Sequence, residues 1–218
     1  MSLEQNGSLK INQIRKARSP ENKARLITQG YTQMEGIDFD DMYAPVARLE
    51  SIGLLLSLAC LMKIKLNQMD VKSVFLNGTL VEEVYVEQTK GFQDPHYSDH
   101  FWRLKKALYG LKQATRVWYD RLTKFLTQNG YVFGGVDNTF FVKTKESVFM
   151  MAQIYVDDIF FGGLYNQMVQ HFVTQMTEQC EMSMDVGRNE KGEGIDVYRG
   201  RIGRLLYLTP SRPDIAHA

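Results

Sequence analysis

The sequence is short of cysteine, of net charge and of long apolar runs, and each shortage removes a class of protein. Cys60 and Cys180 are the only cysteines in 218 residues, and neither belongs to a CxxC or Cys/His cluster. A disulfide framework and a structural zinc site are thereby excluded, and a reducing intracellular setting, cytoplasmic or nuclear, is expected. Both thiols are expected to be buried. The longest apolar stretch, around Leu54 to Met62, is far too short to span a bilayer and reads as a buried helix. Residues 1–20 are polar and basic without an apolar core, so neither a secretory signal nor a membrane partner is expected. No Asp-Thr-Gly or Asp-Ser-Gly occurs, which excludes an aspartic protease.

What is present suits one large domain, or one domain with subdomains, large enough to bury a core without staples. The net charge is only +1, but its distribution is uneven. Lys10, Arg15, Lys16, Arg18, Lys23 and Arg25 form one basic block, and Arg103, Lys105, Lys106, Lys112 and Arg116 form another. Such stripes either track phosphates or are solvated faces.

Along the chain, residues 1–22 read as a polar, loosely ordered extension containing Asn6-Gly7 and Ser19-Pro20. A short strand is expected over 24–28, and Ser51 is placed to cap a helix over 52–62. Residues 66–71 read as a strand with Asp70 near its end, and VEEVYVEQ alternates like another. A helix is predicted from Thr115 to Asn129, ended by Gly130. Strands follow over 139–143 and 148–156, and then IFFGG resumes extended structure. Met168, Val169, Phe172, Val173, Met176 and Cys180 recur at helical spacing over 166–180, as core packing. Residues 185–197 turn Gly-rich and polar, like a linker or deletion scar. The order predicts an α+β fold, an antiparallel sheet with helices on one face.

Asp157 and Asp158 stand side by side at the predicted hairpin turn, between the apolar runs Ile154-Tyr155-Val156 and Ile159-Phe160-Phe161. Adjacent carboxylates oppose each other unless one is protonated or a cation binds. A third carboxylate on a neighbouring strand end would complete a site for hard divalent ions, and Asp70 is the candidate. The spacing alone leaves open a solvated turn.

Longer motifs narrow this choice. QIYVDDIFFG at 153–162 resembles the catalytic hairpin of reverse transcriptases. NKARLITQGYTQMEGIDFDDMYAPVARLESI at 22–52, QMDVKSVFLNGTLVEEVYVEQ at 68–88 and RLKKALYGLKQATRVWYDRL at 103–122 resemble polymerases of copia-type (Ty/copia) LTR retrotransposons. The resemblance resumes at YRGRIGRLLYLTPSRPDIAHA, 198–218, a remnant of the region beyond the thumb. It implies a right-hand polymerase: palm and fingers over 23–184, the palm an RNA-recognition-like antiparallel sheet backed by two helices.

By that resemblance the function is RNA-directed DNA polymerisation, in which a primer 3′-hydroxyl attacks a dNTP on an RNA or DNA template. Asp70, Asp157 and Asp158 are the implied catalytic carboxylates. With the Val71 carbonyl they would bind two Mg²⁺ ions, Mn²⁺ being an alternative. Lys72 and Ser73 correspond to the triphosphate site, and Lys23 and Arg25 to basic fingers residues. Phe75 corresponds to the ring that blocks a ribose 2′-hydroxyl. Tyr109, Gly110 and Gln113 correspond to the nucleotide pocket.

The sequence also departs from that pattern. EMSM at 181–184 runs straight into DVGRNEKGEG, where the family continues into the thumb. Thr115 replaces a proline, and Gly53 lies inside a predicted helix at a cost of roughly 1 kcal/mol. Two alternatives to an active fragment follow: a catalytically inactive nucleic-acid-binding remnant, and a plain RNA-recognition-like module. Phe140, Phe160 and Phe161 lie in apolar strands rather than on an exposed stacking face, which counts against the plain module.

Overall fold

The computed structural model describes residues 8–16, 19–40, 42–43, 46–89, 91–135, 137–145 and 148–184, with side chains from Leu26 onward except that of Leu49. The expected linker at 185–197 and remnant at 198–218 lie outside the described residues. The chain divides into two compact units, Met1–Tyr43 with Ser73–Thr123, and Ala44–Lys72 with Lys124–Ala218.

The first unit begins with a hairpin of β1 (Ser8–Lys16) and β2 (Ser19–Ile27), paired from Ser8 opposite Ile27 to Lys16 opposite Ser19. Strands therefore stand at 8–16 and from 19 onward within the start, 1–22, that is expected to be loosely ordered. Nine positions pair between the two strands, which supplies backbone partners that polar composition does not reveal. Pro20 is tolerated because a two-stranded ribbon consists of edges. The strand expected over 81–88 contracts to β4 (Tyr85–Val86), which pairs with β5 (Trp102–Arg103). Its ladder breaks at Glu82 and Glu83, whose carboxylates bind Arg116 and, at 2.8 Å, Arg103. The helix α2 (Ala114–Gln128) starts in this unit and crosses into the second. It buries Trp118, Leu122 and Leu126 and ends before Gly130, whose φ of +81° suits a residue without Cβ.

The second unit is built on a six-stranded antiparallel sheet. Its strands are β3 (Asn67–Val71), β6 (Val132–Phe133), β7 (Phe140–Lys145), β8 (Val148–Tyr155), β9 (Asp158–Gly163) and β10 (Met182–Met184). The order is β10-β3-β9-β8-β7-β6. Central β8 and β9 are buried nearly throughout, which explains their unbroken apolar runs.

Helix α3 (Asn166–Gln179) turns Val169, Phe172 and Met176 inward, and the Phe172 ring lies 4.9 Å from Phe161 and 5.6 Å from Tyr131. Burial pushes the Tyr131 phenol above its ordinary pKa, while its hydroxyl meets the Met150 sulfur at 3.3 Å. The opposite face is also covered. A Cβ on Gly162 would meet Ile64 at 2.6 Å and the Lys65 carbonyl at 2.9 Å. The opposite face at this end is covered by the loop holding Ile64 and Lys65 rather than by a helix.

Helix α1 (Leu49–Leu61) packs against β8. Ser51 is not its N-cap; Arg48 is, and it makes no side-chain capping bond. Ser51 sits fully buried in the first turn and donates its hydroxyl to Asp137. The same carboxylate accepts from the Arg48 amide at 3.3 Å and from the Thr139 amide and hydroxyl at 2.7 and 2.6 Å. Asp137 thus caps α1 from a distant loop. Burial by itself raises its pKa, but these hydrogen bonds outweigh burial and hold it below the usual carboxylate value. Cys180 is buried as expected, whereas Cys60 is exposed because it shares the outer face of α1 with Gly53 and Ser57.

Candidate active site

The carboxylates of the sequence motifs meet at one end of the sheet. Asp70, next to last in β3, is the direct register partner of Asp158, the first residue of β9. The Val71 amide donates to the Asp157 carbonyl at 2.9 Å, so the chain at Asp157 also lies against the end of β3. Tyr155 pairs with Asp158, leaving Val156 and Asp157 as a two-residue turn. Val156 has a φ of +53°. For a β-branched residue this is a strained conformation, costing of order 1–3 kcal/mol. The turn holds because Tyr155, Val156 and Ile159 are all buried around it.

Direct cross-strand partners point to the same side of a sheet. Asp70 and Asp158 therefore share a face, joined by Gln68 two positions before Asp70 and by Ser183, the register partner of Asp70. Gln68 Nε2 donates to Asp158 Oδ1 at 2.9 Å, and Ser183 Oγ lies 3.4 Å from Asp70 Oδ2. Lys72 Nζ donates to Glu181 at 2.7 Å. This hydrogen bond, then the Glu181 charge and that of Asp70, raise the lysine's pKa. Both partners are well exposed, so the pair is readily screened and exchanged.

Among the described residues, no group of three or more His, Cys, Asp or Glu side chains converges closely enough to hold a metal ion. The donor chemistry nevertheless fits a hard divalent cation. Asp70 and Asp158 offer carboxylates from one face of adjoining strands, and Asp157 and the Val71 carbonyl lie at the same strand ends.

Of the candidate nucleotide residues of the first unit, the structure brings Phe75 and Tyr109 into contact. Lys23 and Arg25 lie on β2 opposite Asn12 and Lys10. Ser73 adopts a left-handed conformation, φ +51°, and starts a 3-10 turn over Val74–Asn77. Phe75 is buried, with its ring 4.9 Å from Tyr109 in an edge-on contact. The Tyr109 carbonyl accepts from the Thr28 amide at 2.8 Å and its hydroxyl at 3.1 Å. Gly110 has a φ of +95°. Gln113 is fully buried and accepts from Gln33 Nε2 at 3.0 Å.

Sequence reasoning overlooked Gln68, Thr28 and Gln33. Gln68 had a usable signal, because positions i and i+2 of a strand share a face and put it beside Asp70. Thr28 and Gln33 had none, since their partners lie 81 and 80 residues away.

A sequence model of the family "Reverse transcriptase (RNA-dependent DNA polymerase)" matches residues 8–207. The chain belongs to the reverse transcriptase family. Within it, the chain is of copia type. It is 32% identical over 230 residues to the Retrovirus-related Pol polyprotein from transposon TNT 1-94 of Nicotiana tabacum, a match covering 97% of this chain and 17% of that protein. It is 37% identical over 157 residues to the polyprotein from transposon RE2 of Arabidopsis thaliana, covering 72% and 11%. To the polyprotein from RE1 it is 29% identical over 248 residues, covering 90% and 17%. This reverse transcriptase chain thus spans less than a fifth of each of these relatives. The RE1 match is longer than the chain itself, so RE1 carries several tens of residues inside the matched span that this chain lacks. Among the described residues, no helix is long and apolar enough to cross a membrane.

Proposed function

We propose that the chain acts as an RNA-directed DNA polymerase of a copia-type retrotransposon, transferring nucleotides from dNTP to a primer 3′-hydroxyl on an RNA or DNA template. The observation that carries this reading is the register of Asp70 with Asp158 beside the Asp157 turn. In this reading Asp70, Asp157 and the Val71 carbonyl hold two Mg²⁺ or Mn²⁺ ions, and Asp158 completes the carboxylate set. Bound there, the metal supplies a lowered pKa for the attacking hydroxyl and charge neutralisation at the phosphates. The protein's own contribution is positioning. Gln68 fixes the orientation of Asp158, and the strained Val156 turn fixes where Asp157 begins. Lys72, Ser73, Lys23 and Arg25 take the triphosphate, with Lys72 exchanging Glu181 for phosphate oxygens. Phe75 excludes a ribose 2′-hydroxyl, and Tyr109, Gly110 and Gln113 belong to the nucleotide pocket.

Sheet and carboxylates then correspond to the palm, and the β1–β2 hairpin to the fingers. In this reading the residues that RE1 has and this chain lacks belong to the thumb, which the family carries after the second palm helix. Weak duplex grip and low processivity follow, in an intracellular setting. A second reading, an inactive nucleic-acid-binding remnant, is favoured by one observation: among the described residues, no three carboxylates converge into a ready-made metal cage.

Primer extension on a homopolymer template separates the two. The polymerase reading expects a short product that needs Mg²⁺ or Mn²⁺ and disappears in Asp157→Asn. Silence from both proteins rejects it in favour of the remnant.

A further inference from the structure

The loop carrying Tyr109 is fastened to the segment that follows β2. The Tyr109 carbonyl takes both the amide and the hydroxyl of Thr28. Gly30 and Gly110 meet backbone to backbone: a methyl group on Gly30 would collide with the Gly110 carbonyl, and one on Gly110 with the Thr28 carbonyl. Gln33 then closes the far side. Its Nε2 donates to Gln113 Oε1 and its Oε1 accepts from the Lys112 amide, both at 3.0 Å. Gln33 and Gln113 are 3% and 0% exposed, so water does not compete for these bonds.

Two features suggest more than packing. The Gln113 Nε2 is buried without a hydrogen-bond partner, a cost that an apolar residue at this position would not incur. The fastened loop also delivers the Tyr109 ring to the edge of Phe75 at 4.9 Å.

We propose that Gln33 and Thr28 are positioning residues for sugar selection. They set Tyr109, and Tyr109 buttresses the Phe75 ring against the space a 2′-hydroxyl would need. The inference rests on the polymerase reading of Phe75. Neither residue touches the nucleotide; each acts through the carbonyl or amide it holds. Loosening the clamp lets the ring give way, so ribonucleotides gain relative to deoxyribonucleotides.

The test uses the whole chain, wild type against Gln33→Met and, as a milder variant that keeps its shape, Thr28→Val. Primer extension by wild type tests the polymerase reading alone. Equilibrium dialysis of labelled dATP and ATP with Mg²⁺ tests the clamp without turnover. Wild type is expected to prefer dATP, and Gln33→Met, which loses both of its hydrogen bonds, to lose about fivefold of that preference. Thr28→Val should lose less, in the same direction. Where turnover is measurable, the change should appear in KM for the two nucleotides while kcat for dATP stays nearly constant. An unchanged preference in both variants overturns the clamp, as does a wild type that binds the two nucleotides equally. A Gln33→Met chain that fails to fold leaves the decision to Thr28→Val.

Discussion

Asp70 and Asp158 face each other directly across the β3–β9 ladder, with Gln68 Nε2 fixed on the Asp158 carboxylate. Two like charges in register repel, and in a sheet that arrangement persists only where something offsets it. Gln68→Leu removes the neutral donor while keeping a side chain of similar bulk. It should lower metal-dependent primer extension by roughly tenfold, against more than a hundredfold for Asp157→Asn, consistent with loss of orientation versus loss of a ligand. Initial rates in Mg²⁺ titrations of the three proteins would check this. Equal losses in both variants would remove the distinction between ligand and orienting residue.

Asp137 provides a stability test away from the carboxylates. Asp137→Ala removes the side chain that caps the start of α1 and the partner of the buried Ser51 hydroxyl. A loss of about 1–2 kcal/mol is expected by urea unfolding. Wild-type stability should also depend on acid. The folded pKa of Asp137 lies below its unfolded value. Its contribution is therefore complete above the unfolded value near 4 and fades as pH falls through the lower folded value. The Ala variant should lack this acid-side loss.

Gly53 and Gly162 should respond oppositely to the same change. A Cβ on Gly53 meets nothing within 4 Å on the exposed face of α1, so Gly53→Ala should stabilise by about 0.5–1 kcal/mol. A Cβ on Gly162 would press on Ile64 and the Lys65 carbonyl, and Gly162→Ala should destabilise by about 1–3 kcal/mol. Chemical unfolding midpoints would show both signs.

Phe172→Ala should cost about 3–5 kcal/mol, because its fully buried ring contacts both Phe161 and Tyr131. A near-neutral midpoint would mean that α3 is not essential to the sheet's core.

Primer–template affinity should fall steeply with salt if the basic stripes track phosphates. An affinity indifferent to salt between 50 and 200 mM, an interval of roughly a thousandfold loss for a protein making several phosphate contacts, would assign those charges to solvent.

Much of this was written locally. Alternation placed Asp70 near the end of β3, helical spacing identified the inward face of α3, and adjacent aspartates between apolar runs announced a hairpin. These follow from side-chain periodicity, which a sequence carries explicitly. What the sequence left undecided depends on partners far along the chain. It offered Ser51 as a cap because nothing local reveals Asp137, 86 residues away. It read 1–22 as loosely ordered because pairing energy belongs to two segments together and to neither alone. It could not see that Val156 takes a positive φ, or that Gln33 reaches Gln113 across 80 residues. The sequence by itself singled out the carboxylates proposed to carry the chemistry. Only the tertiary structure decided which of them stand face to face, since register and long-range hydrogen bonds are set by the packing of the whole sheet.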